Sequence, residues 1–122
     1  MLLNCLSVGI GGFFGAMGRY LFGLIPVSEN FVFPIKTLCV NVLGAFLIGL
    51  IAAWGAKNSD LDPRLILLLK TGVCGGFTTF STFSLESFDL LGGGHTGMAL
   101  LYMILSAVLC LLAVFAGQAL LR

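Results

Sequence analysis

The sequence predicts an all-α membrane protein with four transmembrane helices, the third broken near Gly75–Thr79. Three observations carry this. The 122 residues are 59% hydrophobic and only 9% charged, with a mean hydropathy of +1.13, whereas soluble domains run about 45–50% apolar and ~25% charged. The chain divides into four apolar stretches, each close to the ~20 residues a helix needs to cross the hydrocarbon. Within the third, residues 71–86 read Thr-Gly-Val-Cys-Gly-Gly-Phe-Thr-Thr-Phe-Ser-Thr-Phe-Ser-Leu-Glu, a run too polar for a helix that only faces lipid. A bilayer is therefore the expected surrounding. The net charge of +1 makes nucleic acid no expected partner.

The first span covers about 2–25 and carries one charge, Arg19, near its end. It lacks a basic leader and a small-residue cleavage site, so it is expected to stay in the mature fold. Pro26, Ser28, Glu29 and Asn30 make the following turn. The second span, about 34–55, opens beside Lys36 and closes at Trp54, residue types that anchor helix ends at the interface. A polar loop follows, and Pro63 suits the first turn of the next helix. The third span, about 64–91, has a first half from Leu65 to Val73 that reads as apolar. Gly75-Gly76 is expected to stop it, a hydroxyl-rich stretch restarts it, and Gly92-Gly93-Gly94-His95 ends it. The fourth span, about 97–121, holds no charge. Together these make a single four-span domain, with both termini on one side. Small residues at Gly11, Gly15, Gly72 and Gly76 are expected to let helices approach closely. The flanking cations, Lys57, Arg64 and Arg122 against Lys36 and Arg19, give little orienting bias. One biased orientation and insertion both ways with antiparallel pairing both remain open.

A broken helix frees backbone groups, and in a membrane these are tolerated only inside protein or along a watery cavity. Unwound carbonyls suit cations, and half-helix N-termini suit anions. Thr78, Thr79 and Ser81 can cap the restarting helix. Phe77, Phe80 and Phe83 recur every third residue. Such a stripe is either core packing or a row of rings whose positive edges line a path for an anion. Thr37 and Asn41 lie one turn apart on the second span, and a buried amide must bond something, either another helix or a substrate. Tyr102, Ser106 and Cys110, at i, i+4 and i+8, form one donor stripe on the fourth span. Each cysteine, Cys5, Cys39, Cys74 and Cys110, sits in a different span without a nearby histidine and reads as a small buried hydrophobe. No membrane-embedded carboxylate pair or nucleophile–base pair exists, so the chain is not expected to be an enzyme. What remains is a neutral, donor-lined path for a small, strongly hydrated anion.

These residues resemble a known family. The run from Gly75 to Ser84, Gly18-Arg19-Tyr20 in the first span and the Thr37 to Gly44 run in the second are similar to the CrcB/Fluc fluoride channels. The resemblance covers essentially the whole chain. It implies an antiparallel, dual-topology homodimer with two separate pores. It implies fluoride as the ion, leaving a microbial cytoplasm passively through the inner (plasma) membrane of a bacterium. By position Asn41, Phe80 and Phe83 would line the pore with Ser81, Thr82 and Thr37, and Tyr102 and Ser106 would form its polar track. The carbonyls of Gly75 and Thr78 would hold a structural sodium ion at the dimer centre. Arg19 would be a vestibule or structural cation, and Glu86 would sit near a pore mouth. The alternative is a small four-span proton-coupled multidrug antiporter, a class that needs an embedded carboxylate, for which Glu86 is the one candidate.

Overall fold

In the computed structural model, which describes residues 1–122, the chain is helical throughout and has four helices long and apolar enough to cross a membrane. The first two are α1 (Leu2–Gly23) and α2 (Ile35–Lys57). The third span, Pro63–Gly92, consists of α3 (Pro63–Ile66), a π-helical stretch Leu67–Cys74, α4 (Gly75–Phe77) and, after two non-helical residues, α5 (Phe80–Gly92). The fourth is α6 (Thr96–Leu120).

Local chemistry sets the ends. Asp62 caps α3, its Oδ1 accepting from the Arg64 N–H at 2.9 Å with Pro63 as first helical residue, a position where a missing N–H costs nothing. Lys36 donates from Nζ to the Gly23 carbonyl at 2.8 Å, which satisfies an orphan acceptor at the C-terminus of α1. The tight α5–α6 connection turns on Gly94, whose φ of 81° is open to glycine and strained for other residues. The His95 N–H bonds the Leu90 carbonyl at 2.8 Å and the Gly94 N–H that of Leu91 at 3.2 Å, the paired closure of a Schellman motif.

Glycines set the packing. A Cβ on Gly11 would run into the carbonyl of Leu68, and one on Gly15 into that of Val73; one on Gly76 would lie 2.6 Å from the Gly12 carbonyl. So α1 and residues 63–77 meet backbone to backbone, as expected of Gly11, Gly15, Gly72 and Gly76. Gly49 and Gly117 do the same between α2 and α6, against Val114 and Phe46. Only 15 of 122 residues are buried within one chain, and the outer surface is rich in Leu, Ile and Phe. Lipid or a partner of equal apolarity must cover it.

Two expectations need correction. Gly75-Gly76 does not stop the helix: both residues are helical within α4. The chain leaves the helix at Thr78 (φ −81°, ψ 160°) and Thr79 (φ −150°, ψ 121°). Gly76 is small because α1 lies against it, which is a packing reason and not a conformational one. The first half of the third span is also not wholly apolar, since Lys70 stands exposed on its π-helical stretch.

Candidate functional site

The break is held by its neighbours. Asn41 on α2 accepts from the Thr79 N–H through Oδ1 at 2.8 Å and donates from Nδ2 to the Thr79 carbonyl at 3.0 Å. One amide thus replaces both backbone partners that an interrupted helix loses. The Thr79 hydroxyl accepts from the Thr82 N–H at 3.1 Å, making it the N-cap of α5. The Thr78 hydroxyl turns back to the Cys74 carbonyl at 2.8 Å. Arg19 reaches across from α1 to donate from Nε to the Gly76 carbonyl at 3.1 Å. Of the three proposed caps, Thr79 is the one that acts; Ser81 is exposed, with its hydroxyl 3.4 Å from that of Thr79.

The break forms one wall of a groove of about 510 Å³ between α2, the third span and α6. Asn41, Gly75, Thr78, Phe80, Phe83 and Ser106 all line it, so residues expected to work together are brought together. The Phe80 and Phe83 rings lie 5.4 Å apart between centroids, tilted by 45°. Phe83 continues to Tyr102 at 5.1 Å. Phe80 is 79% exposed, so it is not a core residue of the single chain. The Ser106 hydroxyl is buried and has no hydrogen-bond partner, which in a protein interior calls for an explanation.

The remaining donors are arranged differently from the expected single track. Tyr102, with no exposed surface, sits in the small core of Leu38, Leu90 and Ala99. Its hydroxyl donates to Glu86 Oε2 at 3.1 Å, while the Thr37 hydroxyl donates to Oε1 at 2.5 Å. Glu86 therefore joins α2 and α6 from the third span. The Thr82 hydroxyl accepts from that of Thr79 at 3.1 Å. Thr37, Tyr102, Ser81 and Thr82 thus lie beside the groove and not in its wall. The link from Thr37 to Glu86 spans 49 positions, and no periodicity announces it. The cysteines also divide: Cys5 and Cys39 are exposed, contrary to their reading as buried, while Cys74 is buried and Cys110 half-buried, both in the groove wall.

Any cation here would be held by backbone oxygens, because no three His, Cys, Asp or Glu side chains come together. In a continuous helix the Thr79 N–H would bond the Gly75 carbonyl and the Thr82 N–H that of Thr78. Asn41 and the Thr79 hydroxyl take those two donors instead. The Gly75 and Thr78 carbonyls are left over on the groove wall, and hard oxygen atoms of this kind fit a sodium ion.

The chain matches, over residues 6–118, the family described as CrcB-like protein, Camphor Resistance (CrcB). It belongs to the CrcB family. Relatives of this CrcB-family chain carry the name fluoride-specific ion channel FluC. The protein of Rhizobium meliloti is 47% identical over 120 residues, covering 98% of this chain and 96% of that one. That of Ruminiclostridium cellulolyticum is 42% identical over 118 residues, covering 96% and 91%. That of Methanocaldococcus jannaschii is 40% identical over 121 residues, covering 98% and 95%. Membership of the CrcB family therefore spans the break, the groove and all four helices.

Proposed function

We propose that this chain is a fluoride-selective ion channel that lets fluoride leave the cytoplasm by passive electrodiffusion and so limits its toxicity. The names of its relatives support the ion. The observation that carries the reading is the buried, unpartnered hydroxyl of Ser106 on a groove walled by Asn41, Phe80 and Phe83. A fluoride ion leaving water needs donors in place of its hydration shell, and a conducting site must bind weakly enough to release. Ser106 offers an O–H, and Asn41 has a second N–H beyond the one given to Thr79. The rings offer positive edges. No charged side chain lines this wall, so no side-chain charge traps the ion.

The same reading makes the working unit an antiparallel homodimer in the bacterial inner membrane, its two copies meeting across the open groove. Gly75 supports this, since outside its own helical turn no atom of the chain lies within 4 Å of where its Cβ would stand. We further propose a structural sodium ion held by the Gly75 and Thr78 carbonyls. Its charge would offset carbonyl dipoles that no N–H reaches. The antiporter alternative would require Glu86 to exchange protons and cations freely. Both of its oxygens are already committed, to Thr37 and Tyr102.

Efflux from liposomes loaded with potassium fluoride or potassium chloride tests the function. Rapid fluoride release with chloride retained is the expected result. Equal release of both ions, or release only against a proton gradient, overturns it.

A further inference from the structure

The charged groups of the spans divide into the paired and the unpaired. Arg19, Lys36 and Glu86 each have a partner within the chain. The Lys70 ammonium and the Asp89 carboxylate have none, and both residues are exposed. An ionisable side chain within a membrane span is costly and is normally paired, so a partner from outside the chain is called for. Both residues lie on the face of the third span that borders the groove. Along residues 66–79 only Lys70, Thr71 and Gly75 are exposed. Lys70 stands one i→i+5 turn before Gly75, which lines the groove. From Phe80 to Asp89 the exposed positions are Phe80, Ser81, Ser84, Leu85, Phe88 and Asp89, a spacing that marks one face of a helix. Phe80, at the near end of that face, lines the groove as well. The cation and the carboxylate thus sit on opposite sides of the break. Lys70 is eight residues before Thr78, about 12 Å, and Asp89 is ten beyond Thr79, about 15 Å, at 1.5 Å per residue.

We propose that Lys70 of one copy pairs with Asp89 of a second, antiparallel copy, and that two such ion pairs, one toward each membrane face, fix the register of the dimer. This rests on the antiparallel reading above. A twofold axis at the break turns the far half of one third span alongside the near half of the other. Lys70 and the second copy's Asp89 then stand on the same side of the axis, at heights that differ by about 3 Å. The flexible lysine stem spans such a gap toward the interface. Because the contact is isologous, each copy supplies one cation and one carboxylate. A parallel pair would instead set Lys70 level with Lys70 and Asp89 level with Asp89, like charges at both heights. Charge complementarity therefore selects the antiparallel arrangement as well as its register.

The test uses the full purified chain in detergent, where insertion orientation plays no part. It reads the dimer dissociation constant by energy transfer between copies labelled at their N-termini. Lys70→Glu and Asp89→Lys, each alone, are expected to raise the constant roughly tenfold or more, because each replaces two attractions by two repulsions. An equal mixture of the two variants should return to within about threefold of the unsubstituted value. In the mixed dimer each position 70 again faces the opposite charge at position 89. If either reversal fails to fold, Lys70→Met, Asp89→Asn and their combination decide the matter. The double variant is then expected to be no weaker than the weaker single one. Weakening by Lys70→Glu alone, dependent on added phosphatidylglycerol and restored by no mixture, would assign Lys70 to an anionic lipid headgroup and overturn the pair. Dimers of unchanged strength in every variant overturn the pair and leave the antiparallel reading standing. Unsubstituted copies that stay monomeric, or whose N-termini lie together, fail the antiparallel reading and the pair with it.

Discussion

Asn41 shows how much one side chain can settle. Its amide closes both backbone bonds at Thr79. Removing it by Asn41→Ala leaves a half-buried N–H and C=O unpaired, at about 1–3 kcal/mol for each group lost. Thermal unfolding in detergent should shift to clearly lower temperature, and fluoride efflux should fall as the wall of the groove loosens. Phe80→Leu should behave in the opposite way on stability. Phe80 is 79% exposed in the single chain, so leucine there should alter folding by no more than about 0.5 kcal/mol. Efflux should nevertheless drop by roughly tenfold if the ring edge supplies about 1.4 kcal/mol to the passing ion. Unfolding and efflux measured on the same two variants check both expectations, and normal conduction by both would remove them from the pore wall. The need of Asn41 for a partner was legible from a buried amide among apolar neighbours. The identity of that partner was not, because it is backbone 38 residues away. Glu86 was legible only as a carboxylate near a helix end, since Thr37 and Tyr102 reach it through tertiary contact alone.

At the scale of helices, glycine has two uses here that sequence alone does not separate. Gly75-Gly76 looked like the breaker because glycine tolerates unusual backbone. Yet the backbone departs from the helix at two threonines, whose β-region conformations any residue can adopt. The hydroxyl of Thr79, which caps α5, and the amide of Asn41 reward the break where it occurs. Gly11, Gly15 and Gly76 instead allow α1 to touch the third span, and their spacing did announce that. The four spans were likewise legible, because length and apolarity decide them, whereas the π-helical stretch left no compositional trace. A pair of substitutions measures the difference between close approach and mere helix content. Gly15→Ala places a methyl against the Val73 carbonyl and should lower stability by about 1–3 kcal/mol, the range for overpacking. Gly9→Ala meets nothing within 4 Å and should be neutral or stabilising by up to about 1 kcal/mol, the helix-propensity difference. Equal thermal unfolding of the two variants would contradict the backbone-to-backbone contact.

For the whole molecule, the unresolved balance is one of charge across the membrane. Lys57, Arg64 and Arg122 flank the side of the termini, and Lys70 on the π-helical stretch adds a fourth cation toward that side; Arg19 and Lys36 stand toward the other. Lys70 lies seven residues beyond Pro63, about 10 Å along the axis at 1.5 Å per residue, and a lysine at that depth reaches the interface through its flexible stem. Arg19 is tied to the part-buried Gly76 carbonyl and Lys36, at the surface, to the Gly23 carbonyl, so the guanidinium and the ammonium each already have a partner within the chain. The net orienting force is therefore small, as the proposed antiparallel pairing would require, but it is not zero. In a chain with all four cysteines replaced by serine, Asn58→Cys should react with a membrane-impermeant maleimide in both right-side-out and inverted vesicles, in comparable amounts. Adding Lys57→Ser and Arg64→Ser should move the labelled fraction toward terminus-side-out, because orientation follows the lysine and arginine counts near the span ends. If the working unit is the proposed antiparallel pair, efflux should fall with the shift, since a population of one orientation lacks antiparallel partners. Labelling from one side only in the unshifted chain, with efflux intact, would show that copies of a single orientation conduct and would exclude the antiparallel unit.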